Sequence, residues 1–246
     1  MKAMVLAAGL GTRLRPLTDV RPKALVEVGG RTLIAIVLDR LRSFGVREVI
    51  VNLHHFAEMV GEYLRANGNF GMRIELSREE ELLDTGGGLK KAAWFFRGDE
   101  EPFLLHNVDV LSSIDLGRMT QVHLEQGALA TMAVEQRDSA RALLFDAEGR
   151  LCGRRVGRGA APQWARETTG AQELAFAGIH VISPKIFEKM SELGAFSIID
   201  AYLRLAAEGE KIAAFRVDGC AWRDLGRPES LKAAEQEIEN GRFSAA

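Results

Sequence analysis

The chain has 246 residues, of which 47% are hydrophobic and 27% charged, with a formal net charge of -2. At roughly 150 residues per domain, that length predicts one large domain, and the composition is that of a soluble globular protein, not a disordered, collagenous or low-complexity one. The near-neutral charge argues against a nucleic-acid binder, and no apolar run approaches the ~18–20 residues of a membrane span.

Lys2 and the apolar run 3–8 mimic a short secretory leader, but Gly9, Gly11, Arg13 and Arg15 follow without a small-residue cleavage site. The run reads instead as a strand buried on both faces. Leu33, Ile34, Val37, Leu38 and Leu41 keep helical spacing up to Gly45. Strands are then expected at 48–53, 72–76, 102–107 and 128–135. Helices are expected at 57–66, 88–96 and 115–126, the last capped by Asp115. Strands separated by helical segments of about 10–15 residues predict βαβ units, hence an α/β protein with a mainly parallel central sheet flanked by helices.

The second half is less regular. Residues 141–146 and 151–154 read as a hairpin around Glu148 and Gly149, and 155–173 as a loop or flap. Strands at 176–182, 212–217 and 221–225 alternate with helices at 184–190, 198–207 and 228–239. No repeat or linker is visible, so residues 1–240 are expected to form a single domain and 241–246 a short polar tail. Cys152 and Cys220 form neither a metal-ligand pair nor a disulfide framework, which predicts reduced thiols and a cytoplasmic location.

The most informative segment follows the first strand. Glycines after a buried strand let the backbone approach a ligand and aim its amides at anionic oxygens. The segment from Gly9 to Thr18 reads G-x-G-T-R-L-x-P-L-T. A dinucleotide fingerprint would need glycine where Leu14 stands, and a Walker loop would need Gly-Lys-Ser/Thr. A phosphate-cradling loop with its own arginine, Arg13, remains, beside the plainer reading of a tight turn with a solvated arginine. Pro22 then stiffens the chain ahead of Lys23.

The glycine segment followed by Pro22-Lys23-Ala24-Leu25 resembles the signature of the sugar-1-phosphate nucleotidyltransferases, also called NDP-sugar pyrophosphorylases. That resemblance implies a Rossmann-like (GT-A-type) α/β fold and a Mg2+-dependent reaction. In it a sugar 1-phosphate attacks the α-phosphorus of a nucleoside triphosphate, giving an NDP-sugar and pyrophosphate. Carried over, Gly11, Thr12 and Arg13 hold the triphosphate, Lys23 neutralises charge near the reacting phosphates, and Arg13 and Lys23 are the catalytic pair.

Such a displacement relies on positioning and charge neutralisation, and Mg2+ is usually held by one or two carboxylates plus phosphates and water. Asn107-Val108-Asp109 resembles the family's N-G-D, and Trp222-Arg223-Asp224-Leu225-Gly226 its W-x-D-x-G. Asp109 and Asp224 are therefore the expected metal ligands. Val108 departs from the usual glycine and would narrow the sugar pocket or move the strand end.

Leu82 to Leu89, with Gly86, Gly87 and Gly88, resembles the family's base-contacting segment. Gly87 and Gly88 are expected to line the base pocket with Leu6, Ala8 and Gly9, and Asp84, Thr85 and Asn107 are further nucleotide-binding candidates. A helix N-terminus after Gly88 would favour an anion. Phe176-Ala177-Gly178-Ile179 resembles the strand that lies against the sugar, so Gly178, Asn107 and Glu81 are the sugar-side candidates. His106 is expected to pack or hydrogen-bond.

The chain ends soon after Trp222 without a β-helix domain, so no acyltransferase activity is expected. Lacking a Phe-x-Glu-Lys-Pro-type segment, it looks more like the compact uridylyltransferases than the guanylyltransferases, which remain the alternative. A non-catalytic sugar-nucleotide sensor is the rival from another class. The expected partners are an NTP, with UTP favoured, and a sugar 1-phosphate, with no nucleic acid or membrane; a homodimer is left open.

Overall fold

In the computed structural model, which describes residues 1–243, the N-terminal apolar run forms β1 (Lys2–Leu6) inside a ten-stranded sheet. The hairpin β2 (Glu27–Val28) and β3 (Arg31–Thr32) leads into α1 (Leu33–Ser43), where the cap residue Thr32 accepts from the Ala35 amide at 3.3 Å. Next come β4 (Glu48–Leu53), α2 (Ala57–Ala66), β5 (Arg73–Arg78), α3 (Asp84–Lys91) and β6 (Phe103–Asn107). They are followed by β7 (Val110–Ser112), α4 (Leu116–Gln126) and β8 (Ala130–Glu135). The second half holds β9 (Arg141–Phe145), β10 (Leu151–Val156), β11 (Gln163–Trp164) and the long β12 (Gln172–Ile182). It ends with α5 (Ile186–Lys189), α6 (Ile198–Ala207), β13 (Ile212–Arg216), β14 (Trp222–Asp224) and α7 (Pro228–Glu239).

Strands β5, β4, β1 and β6 lie side by side and parallel. Beyond them β12 runs antiparallel to β6 and β8, and β13 returns parallel to β8. Of these seven strands β12 alone is reversed, so the expectation of a mainly parallel sheet in one α/β domain holds. The apolar run is continuous because the sheet is covered on both faces. Ala3 and Val5 join a core with residues of α1, α2, α4 and α7, whereas Met4 faces a second core with residues of α3, α5 and α6.

Three expectations need correction. The segment 155–173 is not a plain loop: β10 extends to Val156, β11 pairs with it, and β12 begins at Gln172 beside β9. Asp146 anchors this ribbon by pairing with Arg166, and its carboxyl is held below the usual range by the hydrogen bonds from Arg166 and the Arg150 amide, against the opposing pull of burial. The helix expected at 88–96 begins at Asp84 and ends at Lys91, continuing as a 3-10 turn, Ala92–Phe96. The tail expected at 241–246 is not simply polar, because Phe243 is buried in the first core; residues 244–246 lie outside the described residues.

Candidate active site

Backbone register aligns Asn52 of β4 and Asn107 of β6 on either side of Leu6, at the carboxyl ends of three parallel strands. In open α/β sheets ligands bind outside that edge. A cavity of about 370 Å3 opens there. Its wall brings together Leu6, Ala8, Gly9, Lys23, Asp84, Thr85, Asn107 and Asp109 of the expected residues, with Asn52, Glu79, Leu82 and Val108 added. A larger recess of about 810 Å3 between Phe96 and Phe187 carries none of the expected residues.

The glycine loop departs from β1 with an open backbone. Ala7 donates its amide to Asn52 Oδ1 at 2.8 Å, while the amides of Gly9, Leu10 and Gly11 have no acceptor among the described residues. Gly11 sits at φ +63°, and a side chain there would come within 2.9 Å of Thr18 and 3.1 Å of Lys23 Cβ, so only glycine brings the loop against Lys23. Leu14, standing where a dinucleotide fingerprint has glycine, is fully buried and ties the loop to the core. Thr12 and Arg13 are exposed at the loop's outer edge and are not on the cavity wall.

Lys23 lies at the far end of this loop, in a 3-10 turn after Pro22, and its Nζ pairs with Asp109 Oδ2; both side chains are largely buried. Asp109 follows β6, and β14 pairs with β7 so that Asp224 lies opposite Val110 and the Leu225 amide donates to the Asp109 carbonyl at 2.8 Å. The two aspartates, 115 residues apart in sequence, are thus brought alongside one another, Asp109 in the turn between β6 and β7 and Asp224 at the end of β14. A Cβ at Gly226 would lie 2.7 Å from both Arg13 Nη2 and Asp224 Oδ1, so glycine here leaves room for both side chains.

Asp224 Oδ1 accepts the Gly226 amide at 2.7 Å, and Oδ2 accepts nothing among the described residues; nor does Asp109 Oδ1. One spare oxygen on each of two carboxylates is a donor set that suits a hard cation keeping water and phosphate ligands. Val108 does not displace the strand end: its amide donates to Leu6 O at 3.1 Å and its side chain enters the core while bordering the cavity.

Around the glycine triplet the arrangement differs from expectation. Gly86 and Gly87 both donate to the Phe196 carbonyl, at 2.9 and 3.3 Å, so the first turn of α3 is spent on the chain and does not face an anion. Gly87 packs against Gly194 O, 2.5 Å from the position of a Cβ, and is not on the cavity wall. Gly88 lies over the buried pair Asn52–Glu79, where a Cβ would meet Glu79 Oε1 at 2.7 Å. Thr85 reaches the cavity but its hydroxyl accepts the Ile198 amide at 3.0 Å, and Asp84 adopts φ +56°, a left-handed conformation that aspartate tolerates better than most residues.

Of the three consecutive glutamates 79–81, Glu81 is exposed and outside the cavity wall, and Glu79 is the buried member. Its Oε1 accepts Asn52 Nδ2 at 2.7 Å and its Oε2 the Leu83 amide at 3.0 Å. Asn52 and Glu79 were not singled out from sequence, although a lone polar residue ending an apolar strand, as at Asn52, is the signal available. Gly178 has φ +80° at a register break in β12, and a Cβ would lie 2.6 Å from Val110 and 3.1 Å from Asn107 Nδ2; it is not on the cavity wall. His106 is buried below Asn107, its Nδ1 2.7 Å from the Asn107 carbonyl, and burial lowers its pKa to about 4.

The chain is similar to known proteins along most of its length. It matches the family described as nucleotidyl transferase over residues 2–143. It is 35% identical to an N-acetylmuramate alpha-1-phosphate uridylyltransferase of Caulobacter vibrioides, over 96% of each chain. It is 30% identical to the mannose-1-phosphate guanylyltransferase catalytic subunit beta of Danio rerio, covering 94% of this chain and 62% of that protein. The fold is similar to a UDP-glucose pyrophosphorylase from Acinetobacter baumanii, with a TM-score of 0.79, 20% identity, and 99% and 95% of the two chains covered.

Proposed function

Since the chain belongs to the nucleotidyl transferase family and is a sugar-1-phosphate nucleotidyltransferase, we propose that it moves a uridylyl group from UTP onto N-acetylmuramate 1-phosphate and releases pyrophosphate. A phosphate oxygen of the acceptor attacks the α-phosphorus and the bond to the β-phosphate oxygen breaks. The acceptor is its own nucleophile, so the chain supplies position and charge. The open amides of Gly9, Leu10 and Gly11 receive phosphate oxygens, and Arg13 forks onto the outer phosphates. Lys23, pre-oriented by Asp109, neutralises the charge that accumulates around the reacting phosphorus. The base lies between Leu6, Ala8, Gly9 and the start of α3, above Asn52 and Glu79.

Asp109 and Asp224 would hold Mg2+, each through its spare oxygen. When bound, the ion supplies positive charge to triphosphate oxygens.

The observation that carries this reading is the gathering of Arg13 and Lys23 from the glycine loop with Asp109 and Asp224, three segments far apart in sequence, at the carboxyl edge of β1 and β6. The choice of uridylyl over guanylyl transfer is supported by the relative that matches over the full length of both chains. Pyrophosphate release from each NTP in Mg2+, against a panel of sugar 1-phosphates, tests it. Turnover with UTP and N-acetylmuramate 1-phosphate is expected. GTP with mannose 1-phosphate as the preferred pair would move the chain to the guanylyl branch. Silence across the panel, with nucleotide still bound, would favour a sensor.

A further inference from the structure

Beyond Asp109 the edge of the sheet continues through β12 and β14. The register break at Gly178 leaves the Ala177 carbonyl to accept Trp222 Nε1 at 2.7 Å, which turns the indole of Trp222 against the strand that borders Asn107. Trp222 and Asp224 are two residues apart on β14 and so share a side of it. On that indole lies Arg137, its Cζ 4.2 Å from the ring centroid. Arg137 follows β8, which runs in the same direction as β6, so it sits at the same edge as Asn107.

Three contacts hold the guanidinium flat. Nε donates to Glu135 Oε1 at 2.7 Å, Nη2 donates to the Phe176 carbonyl at 3.2 Å, and the ring face meets Trp222. These spend the side-on donors and leave the end-on pair, Nη1 with the second hydrogen of Nη2, without a partner among the described residues. Neighbouring guanidiniums are committed elsewhere: Arg216 to Asp218 at 2.6 Å and Arg223 to Glu237 at 2.7 Å. Arg137 keeps 35% of its side chain exposed, so a ligand can reach it. A pre-oriented planar fork on an aromatic face is matched to a carboxylate, and being already ordered it loses little entropy on binding.

We propose that Arg137, laid on Trp222, recognises a carboxylate carried by the acceptor sugar and so selects a sugar-acid 1-phosphate over an uncharged one. This rests on the reading that the chain transfers to a sugar 1-phosphate, and adds the group that distinguishes one acceptor from another. Glu135 orients the fork and offsets part of its charge, so the selection depends on fit as well as on Coulomb attraction.

The test compares N-acetylmuramate 1-phosphate with N-acetylglucosamine 1-phosphate, which lacks the carboxylate-bearing ether, at saturating UTP and Mg2+. The wild-type protein should favour the first by at least tenfold in kcat/KM. Arg137→Gln should reduce that preference at least tenfold, through the KM of the carboxylated acceptor, and Arg137→Lys should recover part of it by restoring charge without the fork. A role confined to packing on Trp222 would lower the melting temperature and shift both acceptors alike; that result, or no shift in either, overturns the proposal. Transfer to uncharged sugars alone would overturn it together with the N-acetylmuramate acceptor and leave sugar-1-phosphate nucleotidyl transfer standing, whereas no transfer to any sugar 1-phosphate would remove all of it.

Discussion

Lys23 decides the charge balance of the site, because its ammonium is the partner of Asp109 and faces the space where phosphates are proposed to lie. Lys23→Ala should lower kcat by at least tenfold, a loss of about 1.4 kcal/mol of transition-state stabilisation. A change confined to thermal stability would make Lys23 scaffold only. Asp224→Asn keeps the shape of the side chain and removes its charge, so Mg2+-dependent turnover should vanish with little change in melting temperature; ordinary turnover would take Asp224 out of the metal site. Gly178 is a different kind of residue. At φ +80° and 2.6 Å from Val110, Gly178→Ala should cost about 1–3 kcal/mol in a urea titration whatever it does to the sugar. Arg13, Lys23, Asp109 and Asp224 were legible in the sequence because each stands in a short motif whose neighbours are local. Glu79 was not, since Glu79, Glu80 and Glu81 are alike until the fold buries one of them.

At the scale of elements, the base side of the cavity is held by a bond between two strand ends. Asn52 accepts the Ala7 amide and donates to Glu79, which in turn fixes Leu83 at the start of α3. Asn52→Ala leaves two buried groups unpaired, at about 1–3 kcal/mol each, and should raise the KM for nucleotide; an unchanged KM would confine the pair to folding. Two further histidines are buried, His123 on α4 and His180 on β12. His123 touches Thr131 and His180 touches Tyr202, and burial lowers their pKa values to about 4 and about 3. Their folded values lie below the ordinary 6.5, so the stability they favour is complete above that pH and is lost as pH falls towards 4. The urea midpoint should drop between pH 7 and pH 5, and His180→Gln should flatten the slope; a slope equal in both proteins would rule His180 out. Periodicity located α1, α2 and α6 well, but α3 was set four residues too late, past Gly86 and Gly87. Glycine propensity argues against helix, and only the Phe196 carbonyl and the close approach of Gly194 explain why glycines open it.

The whole molecule places the candidate site on one edge of a sheet whose two faces are both sealed. No helix among the described residues is long and apolar enough to cross a membrane. Ligand binding to the folded state alone should therefore be visible in melting. At 100 times its dissociation constant UTP contributes about 2.7 kcal/mol, or roughly 5–10 °C for a chain of this length. GTP at the same concentration should give less, and the reverse order would favour the guanylyl reading. From the sequence alone came the alternation of strands and helices, the glycine loop and the two motif aspartates, because periodicity, turn chemistry and motif spacing act over a few neighbouring residues. Tertiary structure alone decided that the pairing of β14 with β7 is what carries Asp224 to Asp109, that Glu79 is buried on Asn52, and that Gln163 and Trp164, within 155–173, pair with β10. Those facts depend on strand register and burial between segments in one case more than a hundred residues apart, and side-chain identity carries no record of which distant partner will meet it.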